Sequence, residues 1–289
     1  MLSDLIPILV GMAAGLLVSS MVAEACLGLG WTDPPGRHKT HQRAVALGGV
    51  LYTLPLLFLL LEDPGGRLFW PGAAILVLGL WEDARKRRGG ELPWPFRLGV
   101  FVLALASLWG HPQLFGDGAP AGVIALVLLL AAVISFNWFD HADGMCAGAG
   151  LGAVAGLMLL GRGHAPWFAA AAGLLCAFLW LNAYRRGGPL LFLGDAGAQV
   201  LGYCVTAHAL LAGPDTPGPD LAVGLAAAGL PLLDAARVTL LRLSQGLAPW
   251  RPDRERHLGH LAARFTVPRG LLPLACACAA ALWVWLAGR

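Results

Sequence analysis

The sequence predicts an all-α polytopic membrane protein of about ten transmembrane helices, with its chemistry gathered on one membrane face. Three observations lead there. Of 289 residues, 57% are hydrophobic and 13% are charged, about half the charge of an ordinary soluble domain, and the mean hydropathy is +0.69. Apolar runs recur along the whole chain at the roughly 20-residue length that crosses a bilayer core as a helix. The basic residues, finally, crowd into alternate connections between those runs.

Windows of about 19 residues place the spans from near Leu5, Ala44, Leu68, Phe96, Ala119, Met145, Pro166, Gly194, Leu221 and Val267. The first, "MLSDLIPILV", has an Asp where a secretory signal carries Lys or Arg, so it reads as a retained helix. The second follows "GRHKTHQRAVALGG", whose Gly48 and Gly49 allow close packing. The third is the shortest and ends in "WEDARKRR". The sixth to ninth are rich in Gly and Ala, a surface for helix packing. Before the last lies the longest polar segment, Ser244 to Phe265, read as a loop carrying a short amphipathic helix. Cysteines 26, 146, 176, 204, 276 and 278 lack CxxC spacing, so they indicate neither a disulfide framework nor a zinc site. No repeat or soluble domain interrupts the pattern, and residues 1–289 form one transmembrane domain.

Charge sets the orientation. All of the 20 Lys and Arg except Arg67, Arg162 and Arg289 fall on the odd connections, between the first and second spans, the third and fourth, and so on. Those connections are therefore cytoplasmic, and both termini lie outside in a multi-pass protein. The basic residues sit where topology already requires them, so no nucleic-acid partner is indicated.

The polar clusters share that cytoplasmic side. In order they are "TDPPGRHKTHQRAVALGG", "WEDARKRR", "NWFDHADG", "LNAYRRGGPLLFLGDAG" and "RPDRERHLGH", whereas the opposite loops hold ordinary turns. Five loops rich in Asp, His, Arg and Lys on one face suit a reaction on an anionic, phosphate-bearing substrate. Asn137, Asp140 and Asp143, at spacings of three, share one face if the segment is helical. Asp195 sits among glycines at a helix start, where it serves as a metal ligand or as an N-cap. Asp234 and Arg237, three apart in the ninth span, form a structural pair or belong to the site. His208 reads as a packed polar residue.

From Trp31 to Phe265 these segments, in this order, resemble the polyprenyl-phosphate N-acetylhexosamine-1-phosphate transferases, most closely the WecA-type branch. The specific pieces are "FLGDAGAQVLGY" and "PLLDAARVTLLRLSQGLAPWRPDRERHLGHL". The resemblance implies a fold of ten or eleven helices and transfer of a sugar-1-phosphate from a UDP-sugar to undecaprenyl phosphate, with release of UMP and with Mg2+. It implies Asp195 as metal ligand, with Asp140 as a second, and Glu82 and Asp83 as the paired acids of the catalytic centre. A dianionic lipid phosphate, with its second pKa near ~6, needs no general base, so these acids are expected to position metal and phosphate. The resemblance further implies substrate binding by Asn137 and Asp143, by Asp253, Arg254, His257 and His260 around the UDP diphosphate, and by Lys39 and Arg43 at the lipid phosphate. The sequence is compatible with a homodimer.

The chain departs from the family pattern at Glu82 for Asp, Asp140 for Asn, Cys146 for Asp and Gly259 for His, with one extra residue, Arg256, before His257. These departures keep open a catalytically silent, regulatory homologue. A transporter is the third reading, opposed by the one-sided clustering and by the absence of interrupted mid-membrane runs.

Overall fold

The computed structural model describes residues 2–34, 43–162, 165–211, 218–248, 256–268 and 270–289. The chain is helical nearly throughout: α1 Leu2–Gly28, α2 Leu54–Leu59, α3 Phe69–Arg87, α4 Trp94–Ala106, α5 Pro112–Phe115, α6 Ala119–Phe139, α7 Met145–Leu159, α8 Ala165–Leu179, α9 Gly194–Leu210, α10 Leu221–Ser244, α11 Leu258–Arg264 and α12 Leu271–Ala287. The segments Leu5–Gly28, Ala119–Phe139, Pro166–Tyr184 and Leu221–Ser244 are long and apolar enough to cross a membrane.

Nine of the ten expected spans begin within a few residues of an observed helix; the second departs. It is not one helix but a chain of short pieces: a 3-10 turn over Gly49–Tyr52, then α2, then a 3-10 turn over Leu60–Glu62. Pro55 at the start of α2 brings no N–H to a preceding turn. Gly49 is pressed so close to Phe192 O that a Cβ there would lie 2.6 Å from it. Ahead of this segment a two-stranded antiparallel ladder, β1 Thr32–Asp33 with β2 Val45–Ala46, is the one sheet among the described residues. Strand β2 also runs parallel to Leu191, and Phe192 N–H donates to Ala46 O at 2.9 Å.

Helix α9 is the hub. Residues 196–207 are all buried, with α3 and α6 packed on it and α10 and α7 beside them. Small residues set how near the helices approach. Gly148, Gly152 and Gly156 recur every four residues down one face of α7. A Cβ at the first two would overlap the carbonyls of Pro273 and Ala277 on α12. The pair α1 and α8 is packed in the same manner.

Polar side chains collect at the two ends of the bundle. At one end the described residues hold a buried pair, His111 Nε2 to Asp63 Oδ2 at 2.9 Å, and an Arg162–Asp220 bridge at 2.7 Å. The other end receives the C-termini of α3, α6 and α10 and the N-terminus of α9, and there Glu82, Asp83, Asn137, Asp140, Asp143, Asp195, His257 and His260 gather.

Candidate functional site: an acid centre and an imidazole cluster

The acid centre forms where α3 ends against the start of α9. Asp83 turns both carboxylate oxygens to the first amides of α9, Oδ1 accepting from Asp195 N–H at 2.9 Å and Oδ2 from Ala196 N–H at 3.3 Å. Helix starts leave such amides unpaired, so Asp83 caps α9 from another helix. Gly194, at φ +70°, is what permits this approach: a Cβ there would stand 2.7 Å from Asp83 Oδ2. Asp83 is thus an anchor, and the side chain it presents is Asp195.

Asp195 is held on both oxygens. Lys86 Nζ meets Oδ2 at 2.5 Å. With its amide nitrogen turned inward, Asn137 donates to Oδ1 at 3.1 Å and accepts from Arg97 Nη2 at 3.2 Å. Glu82 is fully covered, paired with Arg97 Nε at 2.6 Å and with Lys86 Nζ at 3.5 Å. Lys86 and Arg97 were missed by sequence reasoning. Lys86 follows Glu82 by four residues, a visible helical pairing, but "KRR" was read only as a topology anchor. The partners of Arg97 lie on α3 and α6, which no local spacing shows.

Asp140 and Asp143 do not share a helical face with Asn137. Helix α6 stops at Phe139, Asp140 is its C-cap at ψ 52°, and Gly144 at φ +71° turns the chain into α7. The same turn nevertheless carries both acids to the centre. Burial, then the neighbouring Asp195, Asp143 and Asp83, push Asp140 up to about 8. Their oxygens form a hard-donor set, with Lys86 and Arg97 beside it, of the kind that suits Mg2+. Asp195 and Asp140 are the residues able to hold it, while Asn137 turns its nitrogen to Asp195 and its oxygen to Arg97. Cys146 is buried, with its Sγ bonded to Phe136 O at 3.6 Å.

Beside the acids lies an imidazole cluster. Asp234, buried on α10, accepts from His257 Nδ1 at 2.8 Å, Leu258 N–H at 3.0 Å and Arg237 Nη2 at 2.8 Å. The Asp234–Arg237 pair expected from spacing is therefore present, and it also reaches the loop: Arg237 donates to Arg256 O. His141 stands between His257 and His260, at ring-centre distances of 4.6 and 4.9 Å. Its Nδ1 donates to Trp138 O at 2.8 Å, and Nε2 accepts from Gly259 N–H at 3.1 Å. Burial and neighbouring His257 lower its pKa to about 3, so the ring stays neutral. Nitrogen and carboxylate atoms of His141, Asp234 and His257 lie within 4.8 Å of one another. Two of them already bond each other and the third takes an amide, so the group reads as a hydrogen-bonded seat and not as a metal centre.

Arg43 is exposed two residues before β2, the strand that adjoins the run leading into Asp195. Lys39, Asp253 and Arg254 lie outside the described residues. His208, in α9, faces away from the site and meets Leu56 O at 3.0 Å.

The family model described as Glycosyl transferase family 4 matches residues 67–213, the stretch that contributes Glu82, Asp83, Asn137, Asp140 and Asp195. Over 91% of its length the chain is 29% identical to the undecaprenyl-phosphate alpha-N-acetylglucosaminyl 1-phosphate transferase of Yersinia pestis, covering 77% of that protein. The protein of the same name from Escherichia coli K12 is 27% identical, with 91% and 76% covered. That of Haemophilus influenzae is 25% identical, with 82% and 72% covered.

Proposed function

The chain belongs to glycosyl transferase family 4, and from that premise we propose that it transfers N-acetylhexosamine-1-phosphate from a UDP-sugar to undecaprenyl phosphate, starting a cell-envelope glycan. An oxygen of the lipid phosphate bonds to the sugar-bearing phosphorus. The bond from that phosphorus to the bridging oxygen breaks, and the oxygen leaves on UMP. The lipid phosphate is already largely dianionic at neutral pH, so the acids need not remove a proton from it.

The observation that carries this reading is Asp195, set between a lysine and an amide at a helix start that Asp83 locks in place. Asp195, with Asp140, would hold Mg2+, which when bound neutralises charge on the diphosphate. Lys86 and Arg97 add fixed positive charge for the phosphates, and Glu82 holds both cations in place. His257 and His260, with Asp253 and Arg254, bind the nucleotide diphosphate, while Lys39 and Arg43 attract the lipid headgroup. In this reading ten segments cross the inner membrane of a bacterium, the second of them broken. The site faces the cytoplasm, where UDP-sugars are, and both termini lie outside.

The test is UMP release by purified protein with undecaprenyl phosphate and Mg2+ across a panel of UDP-sugars. Release with one donor, lost in Asp195→Asn while the variant remains folded in detergent, is expected. No release with any donor from folded wild-type protein overturns the reading in favour of a catalytically silent homologue.

A further inference from the structure

Helix α11 is seven residues long, too short to persist in water by itself. Its first amides need acceptors, and its own N-cap, His257, makes no side-chain capping bond. The acceptors come from elsewhere in the fold. Leu258 N–H goes to Asp234 on α10, and Gly259 N–H goes to Nε2 of His141 on the turn between α6 and α7. That turn also carries Asp140 and Asp143, so the bond from His141 couples the start of α11 to the acid centre.

The fit of His141 depends on Gly259. A Cβ at 259 would come within 2.6 Å of Ala142 Cβ and 3.0 Å of His141 Nε2. The imidazole therefore fills space that any larger residue at 259 would claim, and it spaces the rings of His257 and His260 on either side. Both its nitrogens are engaged with backbone, so it offers no donor or acceptor to a ligand.

We propose that His141 is a positioning residue for the nucleotide-sugar: it docks the first turn of α11 and thereby holds His257 and His260 where they meet the donor diphosphate. This rests on the proposed donor-binding role of those two histidines. Its first readout needs no substrate, which separates the two claims: amide exchange at 258–261, followed by mass spectrometry on the purified full chain. His141→Phe keeps a ring but loses the acceptor, and should speed that exchange about tenfold, the cost of one net hydrogen bond. The KM for the UDP-sugar should rise by a similar factor, with kcat within about twofold, because binding rather than the chemical step is affected. His141→Gln, which restores an acceptor near the Nε2 position, should return both values to within about twofold of wild type.

Gly259→Ala supplies a second arm should His141→Phe fail to fold: with His141 intact, its Cβ displaces the turn and should raise KM in the same way. The proposal is overturned if exchange and KM stay at wild-type values in both His141→Phe and Gly259→Ala, or if His141→Gln is as impaired as His141→Phe. Altered exchange in a wild-type background that turns over no donor would leave the docking role standing and remove the donor-binding one.

Discussion

Among single residues, the acids of the centre divide into those that hold the protein together and those that the proposed Mg2+ would use. Asp83 is consumed by two backbone amides and Glu82 by Arg97 and Lys86. Asp140, beside Asp195, Asp143 and Asp83, keeps its proton up to about 8. The sign of the resulting pH effect is fixed. A proton on Asp140 competes with Mg2+, so below that pKa the metal binds more tightly as pH rises, by up to about tenfold per unit for one displaced proton. Half-saturating Mg2+ for UMP release, measured from pH 6 to 9, should fall and then level near pH 8; a flat profile would exclude Asp140 as a ligand. Asp195 was legible from its glycine neighbours, and Glu82 and Asp83 from their pairing. Lys86, Arg97 and His141 were not assigned to the site: Arg97 meets Glu82 and Asn137 on two other helices, His141 meets Gly259 across 118 residues, and Lys86 sits in a charge run with a simpler explanation.

Elements of the bundle are specified by small residues as much as by apolar ones. The stripe of Gly148, Gly152 and Gly156 brings α7 against α12, with backbone touching backbone at the first two. Gly152→Val should push the two helices apart and cost about 1–3 kcal/mol, seen as a lower midpoint of thermal unfolding in detergent. An unchanged midpoint would mean that the approach carries no energy. Gly194→Ala attacks a different junction, combining a positive φ with a clash against Asp83. It should disconnect α9 from α3 and abolish turnover at near-normal expression. Hydropathy windows found the helix starts because each span opens after a polar break. They could not find the fracture of the second span, since 3-10 and α segments are equally apolar and the cause, Phe192 O against Gly49, is a tertiary contact.

For the molecule as a whole, sorting of charge is the governing feature: acids, lysine, arginines and histidines at one end, Asp63–His111 and Arg162–Asp220 at the other. With single cysteines introduced into a cysteine-free background, a membrane-impermeant thiol reagent added to intact cells should label Arg162→Cys and spare Arg185→Cys. The reverse pattern would invert the proposed orientation, and labelling of both would refute the ten-span count. The ends of the bundle were legible from the alternation of basic loops. That the two polar patches at the site are joined by one short turn, 140–144, is not visible in the sequence, because spacings of three are equally compatible with a helical turn and the bend depends on Gly144.

The broken second segment and the modest length of α4 and α12 have a consequence for the lipid around them. At about 1.5 Å per residue, the 13 residues of α4 and the 17 of α12 reach roughly 20 and 26 Å, short of the ~30 Å thickness of a typical hydrocarbon core. Both helices turn leucines outward, Leu103 on one and Leu274 and Leu282 on the other. In the proposed ten-segment arrangement both helices would span, and the surrounding acyl chains would have to shorten or tilt to meet them, leaving a local dimple in the bilayer. A polyprenyl phosphate arriving there would be drawn inward with the leaflet surface.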